Sequence, residues 1–311
     1  MFSTNTLFTP ATIGVYLFIS VILSNCSHQL FAPIIVPYKL TEPSETYMLK
    51  RSLNEVSGLN LVSDSNAVLI DDEVGTLFFY NLLSEEIIKK IKFSKGGDWE
   101  DLVVKGDTAY VLKSNGTLLE ITPLSNPGKL IVTELKTSLS TANDTEGLCY
   151  DSKRNLLLIA CKGQPWIKKT SERYTGRRAI YSFDPVSRKL NTTPDILIDI
   201  NKVESMVIGM QKNVIRRIMN LYNITTKQSF QPAGLAIHPL NGDMYVVSSA
   251  GNVLVILDQN RKLKKAIKLS NKAFKQPEGI TFDREGNLYI SNEGKSGKGN
   301  ILKFSYKTQL E

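Results

Sequence analysis

The sequence predicts an all-β fold, a β-propeller of five four-stranded blades, on three observations. One phrase recurs five times: Val56-Ser57-Gly58-Leu59, Trp99-Glu100-Asp101-Leu102, Thr145-Glu146-Gly147-Leu148, Pro232-Ala233-Gly234-Leu235 and Pro277-Glu278-Gly279-Ile280. Counted at the second residue, the copies lie 43, 46, 87 and 45 residues apart. Each copy leads into a short apolar strand, a polar turn and a second apolar strand. A period of this length, built from strands and turns, belongs to the blades of a propeller.

Along the chain, the first segment stands apart. Met1 to Asn25 carries no charged side chain, and Ile13 to Leu23 is an uncharged run of eleven residues. A bilayer span needs about 20 apolar residues, so the run suits the core of a signal peptide instead. It ends in Leu23-Ser24-Asn25-Cys26, which resembles a bacterial lipobox, whose cysteine is lipidated and becomes the first residue of the mature chain. A plain secretory signal or an uncleaved anchor is the other reading. The expected organisation is a signal peptide over 1–25, a lipid-anchored tether from Cys26 over 26–46 and the propeller over 47–311. The protein would then be exported to the bacterial cell envelope, facing the periplasm or the cell surface, and would touch the membrane through the anchor alone.

The first repeat follows, preceded by Tyr47 to Arg51. In the second, Ala109 to Leu112 and Thr117 to Ile121 read as strands b and c, and Lys129 to Glu134 as d. The fourth places b at Met244 to Val247, c at Asn252 to Leu257 and d at Lys264 to Leu269. In the fifth, Gly279 to Asp283 is strand a, Arg284-Glu285-Gly286-Asn287 a tight turn of residues that accept positive φ, Leu288 to Ser291 strand b, and Asn300 to Phe304 strand c. The chain stops soon after, at Glu311, so Tyr47 to Arg51 is expected to supply the missing fourth strand. Strands from both ends closing one blade would remove the open edges of the ring.

The 87-residue interval needs its own account. After a strand d at Asp195 to Ile200, the positions Val203, Met206, Val207, Met210, Val214, Ile218 and Leu221 step by three and four, which is helical spacing. The interval therefore predicts an amphipathic helix inserted between blades three and four, its outer side carrying Lys202, Lys212, Arg216 and Arg217. A degenerate sixth blade is the alternative.

Composition narrows the function. Apolar residues are 42% and charged residues 22%, as in ordinary folded domains, and the net charge is +8 with a pI near 9.2. An acidic partner would suit that balance, but the Lys and Arg are scattered and no aromatic-and-basic stripe appears, so no nucleic-acid partner is expected. Cys149 and Cys161 fall on successive strands of the third repeat, as a hairpin disulfide or as two buried thiols. No CxxC accompanies them, which argues against a thiolate metal site.

Strand a is innermost in a blade and b is antiparallel to it, so the start of a and the end of b share one end of the channel. That end collects Glu100, Glu146 and Glu278 from the phrase, with Asp71 and Asp72 of blade one and Glu293, beside Asn292, of blade five. Crowded carboxylates repel unless protonated or neutralised. A hard cation, Ca²⁺ in the first place, would relieve them through flexible oxygen coordination. Lys113 and Lys162, at equivalent positions of blades two and three, would serve the same end. Only two histidines exist: His28 in the tether, and His238 in an a–b turn at the opposite end. A histidine-based triad therefore has no base at the mouth. The loop Gly163 to Arg178, basic and aromatic through Trp166, Lys168, Lys169, Arg173, Tyr174, Arg177 and Arg178, opens at the mouth end, as a lid or as a surface excursion.

The phrases Ser57-Gly58-Leu59, Glu100-Asp101-Leu102, Thr145-Glu146-Gly147-Leu148-Cys149-Tyr150 and Pro277-Glu278-Gly279-Ile280 resemble the SdiA-regulated domain family of bacterial exported proteins. Gln231-Pro232-Ala233-Gly234-Leu235-Ala236-Ile237 is distantly similar to NHL-type repeats. The resemblance runs from about Tyr47 to Tyr306. It implies a five-bladed propeller with a calcium site on Glu100, Glu146 and Glu278, and it assigns no biochemical role; Ala233 supplies no ligand from blade four. The function expected is a binding or scaffold module for a small molecule or envelope component. A metal-dependent hydrolase of esters, lactones or phosphoesters is the alternative.

Overall fold

The computed structural model describes residues 36–167, 176–210, 230–295 and 297–307. Signal peptide, Cys26, His28 and most of the tether lie outside the described residues. The chain divides at Val36, and Pro37–Glu311 is one compact unit.

Five antiparallel sheets form the blades. Blade one is β2 (Val56–Ser63), β3 (Asn66–Asp71), β4 (Thr76–Asn81) and β5 (Glu86–Lys92); blade two is β6 (Trp99–Lys105), β7 (Thr108–Lys113), β8 (Leu118–Thr122) and β9 (Ile131–Leu135). Blade three has β10 (Thr145–Asp151), β11 (Leu156–Cys161) and β12 (Arg177–Asp184). Its outer edge is split between β13 (Lys189–Leu190) and β14 (Ile196–Asp199), both paired with β12. Blade four is β15 (Gly234–Ile237), β16 (Met244–Ser248), β17 (Val253–Leu257) and β18 (Leu263–Lys268). Blade five is β19 (Pro277–Phe282), β20 (Leu288–Asn292), β21 (Asn300–Phe304) and, from the other end of the chain, β1 (Glu45–Met48). Tyr47 stands opposite Ile301 in that last pair. The fourth strand of blade five is thus supplied from ahead of the first repeat, and the ring has no open edge there.

The innermost strands pack in the closed order β2, β6, β10, β15, β19 and back to β2. Apolar side chains seal the seams: Ile70, Trp99 and Val111 between blades one and two, Leu112, Leu148 and Ile159 between two and three, and Leu158, Leu235 and Val246 between three and four. Leu59, Tyr289 and Ile301 close blade five on blade one. Each such aliphatic side chain contributes about 1.5–3 kcal/mol on burial. The glycine of the phrase is set by the same packing. A Cβ on Gly234 would stand 2.3 Å from the Glu278 carbonyl oxygen, and one on Gly279 would stand 2.9 Å from the Leu59 nitrogen. The innermost strands approach too closely for a side chain there.

Between blades three and four lies α1 (Ile200–Met210). Ile200, Val203 and Val207 face the blade three–four core, with Met206 packed against it. The helical spacing that begins at Val203 is therefore a real helix on the ring; residues 211–229, with Lys212, Arg216 and Arg217, lie outside the described residues. Among the described residues no helix is long and apolar enough to cross a membrane. Cys149 and Cys161 are buried free thiols. Register explains this: Cys149 stands opposite Leu158, and Cys161 opposite Thr145.

Candidate functional site

The phrase sits on a backbone irregularity. In blade one, Val56 pairs with Asp71 and Gly58 with Ile70, which leaves Ser57 unpaired. Blades two and three do the same, skipping Glu100 between Trp99 and Asp101, and Glu146 between Thr145 and Gly147. Blade five skips Glu278 and Gly279 between Pro277 and Ile280. A β-bulge bends the strand and re-aims the extra side chain. Here it turns the second residue of the phrase towards the end of the channel.

A cavity of about 220 Å³ occupies that end, lined by Asp72, Asp98, Glu100, Glu146, Glu278 and Glu293, with Ser57, Lys162, Ala233 and Gln276. Five of the six carboxylates proposed from sequence meet there. Asp71 does not join them. It follows the pleat of β3, is buried, and its Oδ1 accepts the N–H groups of Glu73 and Val74 at 3.3 Å each. Asp71, the last residue of β3, spends its carboxylate on the turn that follows, and Asp72, just past the strand, is the one that reaches the cavity.

The charges are unequally compensated. Lys162 Nζ lies 2.5 Å from Glu146 Oε1 and 4.0 Å from Asp144 Oδ2. Burial works against the Lys162 charge, but Glu146, Asp144 and Glu100 hold its pKa above the ordinary lysine value. Burial raises the Glu146 pKa and Lys162 opposes it. Glu100 is pushed up to about 9 by burial and then by Glu146 and Asp98. Glu278, only 8% exposed, rises to about 8 through burial and then Glu146 and Glu293. Glu293 reaches about 7 through burial and Asp72, and Asp72 about 6 through burial and Asp71. The Gln276 side-chain amide donates to Glu293. Asp72 Oδ1 is buried with no hydrogen-bond partner.

Lys113 does not share the role of Lys162, for its ammonium lies 5.4 Å over the Trp99 ring. Ser57 and Ala233 stand at the cavity without charge, and the Ser57 hydroxyl donates to the Trp99 carbonyl at 2.8 Å. Of the b–c loop of blade three, residues 168–175, including Lys168, Lys169, Arg173 and Tyr174, lie outside the described residues. Arg178 is buried and donates from Nε to the Phe230 carbonyl. His238 lies at the opposite end, fully buried, its Nδ1 accepting the Leu240 N–H at 3.2 Å.

Two cavity residues escaped the reading of the sequence. Asp98 and Gln276 lie two positions ahead of Glu100 and Glu278, and the same place holds Glu55, Asp144 and Gln231 in the other blades. That shared polarity is the signal that would have found them. Asp101 occupies the position that is glycine in the other four copies. It is almost wholly buried and accepts the Leu102 N–H at 2.8 Å and the Leu148 N–H at 2.7 Å. The Leu59 N–H adds a third bond, so one carboxylate ties blades one, two and three; burial raises its pKa against the pull of those donors.

The donor chemistry of the mouth suits a hard cation: all-oxygen, carboxylate-rich, with one buried oxygen unpartnered. Among the described residues, though, no three His, Cys, Asp or Glu side chains are close enough as placed to close on an ion. Lys162 supplies the positive charge instead.

The comparisons agree with the architecture. The SdiA-regulated family model matches residues 193–295, from β14 through blade four to the end of β20, which includes Glu278 and Glu293 but not Glu100 or Glu146. No curated protein matches the chain in sequence. Among solved structures the chain is similar to Myxococcus xanthus glutaminyl cyclase, at 12% identity over 86% of this chain and 96% of that one, with a TM-score of 0.52. It is also similar to virginiamycin B lyase from Staphylococcus aureus, at 11% identity over 83% and 73%, with a TM-score of 0.42. The first of these likenesses speaks for the fold, and neither speaks for an activity. The match over residues 193–295, on a ring of five blades, bears out the resemblance to the SdiA-regulated family.

Proposed function

We infer that the protein is an exported, lipid-anchored binding module of the cell envelope whose channel mouth takes up Ca²⁺. One observation carries the ion: Asp72, Glu100, Glu146, Glu278 and Glu293, drawn from four blades, line one small cavity with a single lysine among them. Glu146 and Glu278 would be the core donors, Glu100, Glu293 and Asp72 would complete the oxygen shell, and Asp71 would brace the Asp72 turn from behind. Glutamate side chains are long enough to swing inward, and Lys162 would withdraw as the ion enters. The lipobox-like Cys26 supports the anchor. Melting the full chain with Ca²⁺ and with EDTA tests the ion: a Tm several degrees higher with Ca²⁺ supports it, and identical curves refute it. Metabolic labelling with a palmitate analogue tests the anchor, since a Cys26→Ser variant that still labels would refute lipidation there.

One observation favours a second reading, an ion-assisted hydrolase of esters, lactones or phosphoesters. Glu293 lines the cavity, and burial and Asp72 raise its pKa to about 7 in the ion-free mouth, so it is the candidate base of that reading. A panel of aryl esters, lactones and phosphoesters decides it: turnover lost in Glu293→Gln with the fold intact supports the enzyme, and no turnover on any member removes it.

A further inference from the structure

The end of the ring opposite the mouth has its own character. It is where the chain enters the propeller: the Tyr38 hydroxyl donates to the Gly286 carbonyl at 2.6 Å, in the a–b turn of blade five, and Lys307 N–H donates to the Pro37 carbonyl at 3.0 Å. Tyr38 packs there among His238, Tyr245, Phe282 and Tyr306. The tips of the turns at this end carry bare aliphatic side chains. Leu83 is 85% exposed between β4 and β5, Val186 is 78% exposed between β12 and β13, and Leu240 is 57% exposed between β15 and β16. Ile131, at the start of β9 on the same end, is exposed as well. Lone exposed aliphatics are commonplace, but these sit on four blades at one end of the ring.

Between the turns of blades three and four, at the same end, lies a cleft of about 530 Å³ lined by Lys153, Arg154 and Arg261 beside His238 and Gln259. The buried Asp151 holds both guanidinium groups, Arg154 at 2.9 Å and Arg261 at 3.3 Å, and Asp195 takes a second arm of Arg154 at 2.6 Å. Neighbouring turn carboxylates stay charged but are tied to their own loops, Asp184 accepting the Val186 N–H, Asp258 the Asn260 N–H and Asp283 the Glu285 N–H, while Glu85 and Glu285 are exposed. Apolar tips beside one cleft that carries cations are the pattern of a surface that rests on headgroups with phosphate.

We propose that this end of the propeller lies against an anionic phospholipid surface, with Leu83, Val186 and Leu240 dipping into the interface and the Lys153–Arg154–Arg261 cleft taking a lipid phosphate, so that the mouth points away from the membrane. The proposal rests on the anchor at Cys26 for how the chain reaches the bilayer. Ser27 to Pro37 is eleven residues, a reach of about 36–40 Å when extended, and Pro37 and Tyr38, where it meets the propeller, are bound at this end.

The test uses the full chain reconstituted in vesicles of phosphatidylethanolamine and phosphatidylglycerol, with mass spectrometry of Cys26 run beside it. A fluorophore is placed by Leu83→Cys, by Val186→Cys and, at the mouth end, by Lys95→Cys, and is quenched with brominated lipids. At least twofold quenching at positions 83 and 186 with none at 95 is expected, and Lys153→Glu should weaken the first two. Equal quenching at all three positions, or quenching at 95 alone, overturns the orientation while a modified Cys26 leaves the anchor standing. An unmodified Cys26 with no vesicle binding overturns both. A dimer in the ultracentrifuge that Leu83→Asp dissolves, without quenching, assigns the tips to self-association and overturns the proposal.

Discussion

Lys162 Nζ stands 2.5 Å from Glu146 Oε1, so the channel mouth carries its own cation. A lysine ammonium is a compact point charge on a flexible stem, and it offsets one carboxylate among the six that line the cavity. Glu100 and Glu278, pushed up to about 9 and about 8, answer by holding protons, and Glu293 and Asp72, at about 7 and about 6, release theirs only near neutrality. An incoming divalent ion would compete with both the lysine and those protons.

Removing the lysine should sharpen that competition. In Lys162→Met, Glu146 loses its partner while remaining buried, and the ion-free protein should lose about 1–3 kcal/mol of stability in a urea melt. Ca²⁺ affinity by calorimetry should rise about tenfold, equivalent to about 1.4 kcal/mol. Unchanged affinity would place the ion elsewhere.

The pH dependence follows from the same groups. Glu293 at about 7, Glu278 at about 8 and Glu100 at about 9 all stand above their ordinary 4.5. Between pH 4.5 and 9 the unfolded chain has released protons that the folded chain keeps, so ion-free stability is greatest at the acid end and falls as pH rises. Glu278→Gln should flatten the part of that slope between about pH 4.5 and 8. Saturating Ca²⁺ should displace the protons and reverse it, visible as buffer-dependent heats. A slope that Glu278→Gln leaves unaltered would contradict the assignment.

Gly234→Ala should be among the more damaging small substitutions. The new methyl would press on the Glu278 carbonyl, so blades four and five must separate. A loss of about 1–3 kcal/mol in equilibrium denaturation is expected, with Ca²⁺ response weakened through Glu278. A neutral substitution would show that the innermost strands have slack.

The closing blade has its own test. Leu49 follows β1, is 1% exposed and donates its N–H to the Gly299 carbonyl at 2.9 Å. Leu49→Ala should cost about 2–5 kcal/mol in a urea melt. A smaller loss than an exposed Leu83→Ala would mean that the terminal strand does not hold the ring shut.

The blades were legible because their turns and apolar runs recur, and the closing strand because the last repeat ends one strand short. The insertion was legible through its steps of three and four, since only a helix places Val203, Met206 and Val207 on one side. Asp71 was not separable from Asp72 in sequence, because only the pairing of Asp71 with Val56 shows that β3 ends between them. The bulge was equally hidden: Glu100, Glu146 and Glu278 recur visibly, but only the pairing shows each skipped by its partner strand. Asp101 was read as part of the repeat, although its departure from glycine is what lets it bind three blades.

The most direct measurement is a calorimetric Ca²⁺ titration of the full chain beside Glu278→Gln at pH 7.5. The account predicts one saturable site in the parent protein, with proton release, and at least tenfold weaker binding in the variant. Equal binding by both proteins, or no heat from either, would contradict it.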